Sequence, residues 1–224
     1  NHSKDVCNTQ KQFTENASHE LQTPLAIIIS KLELLLESEH ITSEDAKSIA
    51  EVINSTQKIT QLNKSLLLLA KIENKQFPNQ FPLSVNEVTK EFISNFQDFV
   101  DFKEIAINII EKSVLVAYMD ASLLEILIAN LIRNAVYHNV KNGEISLLFT
   151  KEEFTICNTG KKLPLDEKTI FNRFQKDTTR TQSTGLGLSV CKAICNFYNI
   201  PIRYNFIENK HCFSVNFKKI TSKE

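Results

Sequence analysis

Ser18–Leu25, S-H-E-L-Q-T-P-L, is the stretch of this 224-residue chain that says most about its fold. Apolar residues run through and beyond it at the helical steps of three and four, namely Phe13, Ala17, Leu21, Leu25, Ile28, Leu32 and Leu35. At about 3.6 residues per turn, His19 and Thr23 share one helix face, and His19 points away from the apolar stripe. Glu20 lies about 100° further round the helix. The pattern predicts an imidazole on the solvent side of a helix, beside a carboxylate.

Pro24 follows this histidine by just over one helical turn. A proline within a helix cannot bond the carbonyl four residues back, here that of Glu20, and it kinks the helix. The cost is about 3 kcal/mol. We interpret Pro24 as a residue that loosens the backbone next to a reactive group. An ordinary surface histidine beside a proline of no functional meaning is the alternative that one sequence leaves open.

The composition is that of an ordinary globular protein, with 42% hydrophobic and 23% charged residues, and the length allows one large or two small domains. The net charge is zero and no strongly basic face is evident, which argues against binding to nucleic acid. The sequence has no run of about 18 apolar residues, so no membrane span is predicted. The five cysteines, an odd number without regular spacing, indicate a reducing compartment, and Cys191 and Cys195 on one helix face indicate packing.

Two long helices are predicted in the first third of the chain. The first runs from about Cys7 to Ser38, and the second follows Thr42 or Ser43, either of which is a good N-cap, and runs to about Glu73. The short connection makes them an antiparallel hairpin, and the apolar stripe of the second helix keeps a near-heptad step. Because a two-helix hairpin cannot bury both stripes alone, we expect two copies to form a four-helix bundle. The chain is therefore expected to be a homodimer.

A polar segment with two prolines, Asn74–Pro82, is the predicted linker, which divides the chain into domains at 1–73 and 83–224. In the second domain, helices alternate with mostly antiparallel strands, which predicts an α/β sandwich with helices on one side of a sheet. The predicted helices are Ser84 to about Val100, Ser122–His138 and Gly185–Tyr198. The predicted strands are Ile105–Ile110, Val114–Tyr118, Glu144–Thr150, Phe154–Asn158, Ile202–Ile207 and Cys212–Phe217.

Asn130 and Asn134 lie one turn apart on the same face of the helix predicted at Ser122–His138. Their amide oxygens could coordinate a hard cation, and their N–H groups could bind phosphate oxygens. Solvated or capping asparagines are the alternative. Gly185 and Gly187 open the next predicted helix, where glycine permits close backbone approach and free N–H groups favour phosphate. A lone G-x-G is weak, but this pair ends a long loop that carries the cations Arg173, Lys176 and Arg180.

Three motifs in this order resemble those of the sensor histidine kinases of two-component signalling. They are S-H-E-L-Q-T-P-L at Ser18–Leu25, A-N-L-I-R-N-A at Ala129–Ala135 and S-T-G-L-G-L-S at Ser183–Ser189. The sequence I-F-N-R-F at Ile170–Phe174 resembles the F-box of the ATP lid in that family. The resemblance implies a dimerising helical hairpin followed by an ATP-binding α/β sandwich of the gyrase and histidine-kinase type.

The resemblance also implies roles for the residues of each motif. His19 would accept the γ-phosphoryl group of ATP through Nε2 while Glu20 takes the proton from Nδ1, and Thr23 matches the H-E-x-x-T pattern of members that also dephosphorylate their response regulator. Asn134 would hold Mg²⁺, with Asn130 beside it at the nucleotide phosphates. The phosphoryl group would then pass to an aspartate of a response-regulator receiver domain. A sensory region would lie upstream, so this chain would be the cytoplasmic part of a sensor anchored in the inner membrane.

The chain departs from the family at two places. The adenine-binding motif of the family is usually D-x-G-x-G, and this chain has Asn158-Thr159-Gly160-Lys161-Lys162 in its place. The amide oxygen of Asn158 would therefore accept a hydrogen bond from the adenine amino group. A hydrogen bond to a charged partner contributes about 1.5–3 kcal/mol against about 0.5–1.5 for a neutral one, which predicts weaker ATP binding. Tyr137 and His138 stand where a lysine and an aromatic residue are usual, so one positive charge facing the phosphates is expected to be missing.

Two other functions stay open at this point. An ATPase of the gyrase and mismatch-repair type shares the nucleotide fold, but it would place a general-base glutamate where this chain has Asn130, and an amide cannot take a proton from water. A non-catalytic phosphotransfer or adaptor module with a degenerate nucleotide site would fit the departures at Asn158 and Lys162. Saturable binding of nucleotide with Mg²⁺ would separate the kinase from the adaptor.

Overall fold

A computed structural model describes residues 20–38, 40–174 and 184–221 of the chain. They group into two compact units: a helical hairpin through Asn74, to which residues 184–186 are assigned, and a unit that comprises residues 75–174 and the chain from Gly187 onward. Among the helices in these ranges, none has both the length and the apolar character needed to cross a membrane.

The hairpin consists of α1, described as helical over 20–36, and α2 (Ser43–Glu73). Thr42 is the N-cap of α2, because its Oγ1 accepts the Asp45 N–H at 3.1 Å while the Asp45 carboxylate accepts the Thr42 N–H at 3.3 Å. The beginning and end predicted for the second helix are thus confirmed. The part of the first helix predicted before residue 20 lies outside the described residues.

Apolar side chains of the hairpin stay accessible within one copy of the chain. In α1, Leu21 and Leu35 of the predicted stripe are each 53% exposed, and in α2 Ile59 is also 53% exposed. Large apolar side chains on two neighbouring helices are normally buried against another element. The described part of the hairpin therefore leaves an apolar surface without a cover inside its own unit.

The second unit is a sandwich of one helical layer on a five-stranded sheet. Its elements are β1 (Phe81–Ser84), α3 (Val85–Ser94), α4 (Gln97–Phe102), β2 (Ala106–Glu111), β3 (Val116–Met119), α5 (Ala121–Tyr137), β4 (Glu144–Phe149), β5 (Glu153–Thr159), α6 (Gly187–Phe197), β6 (Ile202–Ile207) and β7 (Lys210–Asn216), with a final 3-10 turn at Lys218–Ile220. The sheet order is β2-β4-β5-β7-β6, and β1 pairs with β3 in a separate two-stranded sheet. The α/β sandwich that the sequence predicts is confirmed.

Three of the four pairings in the large sheet are antiparallel, and only β2 and β4 run parallel. Buried and half-buried residues alternate along β4 and β5, so one face of the sheet carries the core. α5 packs on β5 and lies between α3 and α6. Leu127, Leu131 and Ala135 of α5 are buried, as their spacing predicts. This packing fixes which face of α5 is left for the two asparagines.

The helix predicted from Ser84 to about Val100 is two helices in the structure. Ser84 caps α3 by accepting the Glu87 N–H at 3.3 Å, but α3 ends at Ser94 and α4 begins at Gln97. The turn between them lets Val100 be buried, whereas Phe102 is left 80% exposed. The sequence-based prediction of one continuous helix is wrong, because apolar side chains at 92, 93, 96, 99 and 100 fit a single stripe equally well.

The segment predicted as a linker is partly structured. Phe81 and Pro82, at its end, are the first residues of β1 and pair with Met119 and Tyr118. Proline is tolerated there because β1 is an edge strand of its sheet. Phe77 packs edge-on against Phe197 with ring centroids 6.4 Å apart. The Phe77 ring and the pairing of β1 therefore hold this segment to its own unit.

A disulfide joins Cys157 of β5 to Cys212 of β7, two residues that face each other in the strand register. This bond departs from the reduced cysteines that the number and spacing of cysteines led us to expect. Cys191 and Cys195 of α6 are free and buried, and burial raises the pKa of Cys195 to about 12. These two thiols are packing residues, as their position on one helix face indicates.

Candidate active site

Two asparagines of α5 lie beside its buried face. Asp120 caps the helix by accepting the Ser122 N–H at 3.0 Å, which fixes where α5 begins. With Leu127 and Leu131 committed to the core, Asn130 and Asn134 come to the surface one turn apart, and both are half-buried. Both asparagines therefore lie on one half-buried face of α5, and their contact with a ligand stays a prediction.

The two amides are not equivalent. The Asn130 Nδ2 donates to the Ile126 carbonyl at 2.8 Å, and its Oδ1 lies 3.0 Å from where a Cβ at Gly187 would stand. Asn130 is thus a packing residue between α5 and the first turn of α6, whatever else it binds. By contrast, no described residue hydrogen-bonds to the side chain of Asn134. Asn134 is the amide available to a ligand.

Each of the two glycines at the start of α6 has its own structural reason. α6 begins at Gly187, where a side chain would press against Asn130. The first N–H groups of a helix have no partners inside it and form an anion-binding end. Gly185 precedes the helix with φ of 70°, a left-handed conformation that favours glycine. The helix predicted to open at Gly185 thus begins two residues later.

The end of β5 carries the residue that replaces the usual aspartate. Asn158 is buried, with 1% of its surface exposed, and its Nδ2 donates to the Thr159 carbonyl at 2.7 Å. That bond orients the amide, because Nδ2 donates to the Thr159 carbonyl and Oδ1 remains as the acceptor. Among the described residues none donates to this oxygen. An acceptor in this orientation suits a ligand that offers an amino group.

Thr159 is held on its other side by the loop after α5. Its hydroxyl donates to the Asn139 Oδ1 and accepts the Glu144 N–H at 2.8 Å. Gly143 lies against this pair, and a Cβ there would stand only 2.1 Å from the Asn139 Oδ1. The buried Asn139 was missed by the sequence reasoning, since a single asparagine after a helix predicts only a cap. It fixes the backbone on which Asn158 sits.

Gly160 is enclosed by protein atoms on two sides. A Cβ at this position would lie 2.9 Å from the His211 Cδ2 and 3.2 Å from the His138 carbonyl oxygen. The need for glycine here therefore comes first from packing between α5 and β7. His138 ends α5 as its C-cap, so the residue that departs from the family pattern contributes its backbone to this turn.

The segment from Ile170 to Phe174 is anchored through Phe171. Phe171 packs edge-on against Phe213 of β7 with centroids 6.3 Å apart, and Ile170 is buried. Arg173 is exposed on the turn that follows. The cations Lys176 and Arg180 of the predicted lid lie outside the described residues. The role of Arg173 at a phosphate remains a prediction.

The aromatic residue that replaces the usual lysine at the end of α5 faces α4. Tyr137 packs edge-on against Phe99 with centroids 5.1 Å apart. A lysine from a different element lies at the same helix end, because Lys103 Nζ donates to the Val136 carbonyl at 3.0 Å and to the Tyr137 carbonyl at 3.2 Å. Lys103 compensates the negative end of the helix dipole there.

The described part of the phosphoacceptor motif begins at Glu20. Glu20 and Thr23 are helical and exposed on α1. Their roles stay predictions. His19 lies outside the described residues, so its placement and the proton transfer to Glu20 stay predictions.

Two family profiles match the chain. Residues 9–75 match the His Kinase A (phospho-acceptor) domain, and residues 119–220 match the histidine kinase-, DNA gyrase B- and HSP90-like ATPase family. The heme sensor protein HssS of Staphylococcus saprophyticus is 27% identical over 97% of the chain, and the sensor histidine kinase HprS of Escherichia coli is 29% identical over 89%. The chain covers 48% and 45% of these relatives, about half of their length.

The structure of full-length ShkA with AMPPNP has the same fold. It covers 95% of this chain and 47% of its own with a TM-score of 0.75, at 18% identity. The two matched domains also follow each other in the order of the three sequence motifs. The chain therefore belongs to the sensor histidine kinases of two-component signalling and carries their phospho-acceptor and ATP-binding domains.

Proposed function

We propose that the chain is an ATP-dependent protein-histidine kinase that phosphorylates His19 and passes the phosphoryl group to an aspartate of a response regulator. The observation that carries the proposal is Asn134, a half-buried amide without a hydrogen bond from the described residues, on a helix of a domain whose family binds ATP. Such a group is held ready for a ligand. The N-terminus of α6, packed against Asn130 of the same helix, supplies N–H groups for phosphate.

ATP would lie with its base at the turn after β5 and its phosphates towards α5 and α6. The Asn158 Oδ1 would accept a hydrogen from the adenine amino group, and Asn134 would hold Mg²⁺ through its amide oxygen. Within residues 20–38, 40–174 and 184–221, no cluster of three or more His, Cys, Asp or Glu side chains could hold a metal ion. Mg²⁺ would therefore bind through Asn134 together with phosphate and water oxygens, the hard ligands that it prefers.

The transfer step requires a neutral imidazole at His19. Its Nε2 lone pair forms the new P–N bond while the bond from the γ-phosphorus to the bridging oxygen breaks, and ADP leaves with that electron pair. Glu20 accepts the proton from Nδ1, which removes the positive charge from the phosphorylated ring. Mg²⁺ supplies compensation for phosphate charge, so the protein contributes mainly positioning.

One assay separates this proposal from the two other functions. The chain is incubated with Mg²⁺ and γ-labelled ATP, and label on protein and free phosphate are measured in the same samples. A kinase transfers label to protein, a gyrase-type ATPase releases phosphate without labelling the protein, and an adaptor does neither. Phosphate release without labelled protein would overturn the proposal.

We also propose that Thr23 supports dephosphorylation of the regulator. Thr23 lies on the exposed face of α1, one turn from the phosphoacceptor position, where a hydroxyl can orient a water molecule. The Thr23→Ala variant is expected to keep its autophosphorylation rate within about twofold and to lose about tenfold or more of its phosphatase rate on a phosphorylated regulator. Normal kinase together with normal phosphatase activity would show that Thr23 has no such role.

The exposed apolar side chains of the hairpin support the proposal of a homodimer. Leu21 and Leu35 of α1 and Ile59 of α2 would be buried if a second hairpin completed a four-helix bundle. Light scattering of the purified chain at micromolar concentration is expected to give twice the monomer mass. A monomer mass across that range would contradict the bundle. The membrane-anchored sensor of which this chain would be the cytoplasmic part is proposed on the shared family and the half-length coverage alone.

A further inference from the structure

A buried tyrosine–histidine pair lies beneath the segment that follows Gly160. Tyr204 of β6 is 3% exposed and His211 of β7 is 6% exposed, and their rings stack with centroids 6.0 Å apart. Neither residue belongs to a motif of the sequence analysis. Two polar side chains buried this deeply in a small domain need partners, and both find them in the same stretch of backbone.

Three hydrogen bonds link Tyr204 and His211 to each other and to the backbone at Lys161 and Leu165. The Leu165 N–H donates to the Tyr204 hydroxyl oxygen at 3.0 Å, and His211 Nε2 lies 2.8 Å from the Lys161 carbonyl oxygen. Because a carbonyl can only accept, Nε2 donates to the Lys161 carbonyl. In the tautomer protonated at Nε2 alone, Nδ1 accepts from the Tyr204 hydroxyl, 2.9 Å away. Burial raises the pKa of Tyr204, which keeps that hydroxyl protonated.

The same histidine ring lies beside the end of β5, which carries Asn158, and against Gly160 just after that strand. His211 faces Asn158 in the register of β5 and β7, and its Cδ2 lies against Gly160 so closely that no Cβ would fit. The ring thus contacts the backbone at Gly160 and bonds the next residue, Lys161. Tyr204 fixes the chain four residues further on, at Leu165. Together the pair holds both ends of the segment 160–165.

We propose that His211 and Tyr204 are positioning residues that preset the backbone at Asn158–Gly160, where β5 ends, for the base of the nucleotide. The inference rests on the proposed function and assigns no contact between either side chain and the nucleotide. Without the pair, the segment 160–165 would have to be ordered when the nucleotide binds, and that cost would appear as lost affinity. Preorganisation matters more here because a neutral amide at Asn158 contributes less binding energy than a carboxylate.

The test uses the full chain and measures the dissociation constant of AMPPNP with Mg²⁺ by calorimetry, together with the midpoint of thermal unfolding. Tyr204→Phe removes the hydroxyl from the chain of hydrogen bonds and is expected to weaken binding about 3- to 10-fold, as for the loss of one neutral hydrogen bond or slightly more. Tyr198→Phe is the matched control: Tyr198 is also buried, but its hydroxyl accepts from the Asp120 N–H at 2.9 Å, at the opposite end of α5 from His138. The control is expected to lower the unfolding midpoint without changing the affinity.

Substitutions of His211 separate positioning from bulk stability. His211→Leu removes both hydrogen bonds and is expected to weaken binding about tenfold or more, whereas His211→Gln, with one donor and one acceptor, should recover most of that loss. In autophosphorylation the KM for ATP should rise while kcat at saturating ATP stays within about twofold. Affinity for inorganic tripolyphosphate, which has no base, should be unchanged in all these variants.

Three outcomes decide the matter. If the wild-type chain fails to bind AMPPNP with Mg²⁺ at all, the proposed function fails and this inference fails with it. If the wild type binds but Tyr204→Phe and His211→Leu bind like Tyr198→Phe, the positioning role is wrong and the proposed function stands. Should His211→Leu be too unstable to measure, the comparison of the two Tyr→Phe variants decides alone.

Discussion

The His19→Gln variant is expected to incorporate no phosphate above background from γ-labelled ATP, while it still binds nucleotide with Mg²⁺. The lone pair of a glutamine side-chain nitrogen is delocalised into its carbonyl, so the variant has no nucleophile at this position. Nucleotide affinity should stay within about twofold, because Asn134, Asn158 and the first turn of α6 belong to the other compact unit. Labelled protein on a gel and the dissociation constant of AMPPNP are the two measurements.

His40→Gln is the matched control for this prediction. His40 is the exposed histidine of the hairpin connection, and it carries no role in the proposed transfer. We expect this variant to take up label like the wild type. Label that persists in His19→Gln would move the acceptor elsewhere, and loss of nucleotide binding in that variant would mean that the substitution acts on more than the nucleophile.

The Asn134→Ala variant is expected to lose about 10- to 150-fold in affinity for nucleotide with Mg²⁺, the equivalent of one hydrogen bond or ligand to a charged group. Autophosphorylation should fall at least as far, since Mg²⁺ also compensates charge during transfer. The fold should tolerate the change, because Asn134 is only half-buried and makes no side-chain hydrogen bond to a described residue. Calorimetric titration checks the affinity, and circular dichroism checks the fold.

Asn196→Ala provides the control on an exposed helical asparagine. Asn196 lies on α6 with its side chain exposed, so the same substitution there should change neither affinity nor activity. An Asn134→Ala variant that binds nucleotide with Mg²⁺ as tightly as the wild type would remove the observation on which the proposed function rests. Equal losses in the two variants would indicate a general effect of the substitution.

The strong periodic signals in the sequence predicted most of the fold. α2 begins at Ser43 because Thr42 and Asp45 form a reciprocal cap that the sequence displays. The hairpin of β4 and β5 follows from two apolar runs with a short gap, and its antiparallel pairing is confirmed. These signals are local, and each of them involves residues a few positions apart.

Features that depend on distant residues could not be predicted in the same way. The parallel pairing of β2 with β4 joins strands separated by α5, and no local pattern encodes that choice. The disulfide between Cys157 and Cys212 likewise depends on the register of β5 with β7. The odd number of cysteines had indicated that they are reduced. A count cannot show which two of them the fold brings together.

The candidate site shows the same division. Sequence spacing placed Asn130 and Asn134 on one face, but only the packing of α6 at Gly187 distinguishes the packing residue from the available amide. The sequence showed Gly160 only as part of the stretch that resembles the adenine-binding motif, and the structure adds the His211 ring that fills the space beside it. A single histidine in a β-strand carries no signal of that role, because Asn158, Gly160 and Lys161, which its ring faces or contacts, lie 50 to 53 positions away in the chain.

Mapping the phosphorylated residue tests the central claim most directly. The wild-type chain, incubated with Mg²⁺ and ATP, is digested at neutral to alkaline pH, which preserves a phosphorus–nitrogen bond, and its peptides are sequenced by mass spectrometry. The account predicts one phosphorylated residue, His19, in a peptide that loses its phosphate in acid. Phosphate on a different residue, or no phosphate on a chain that binds ATP with Mg²⁺, would contradict it.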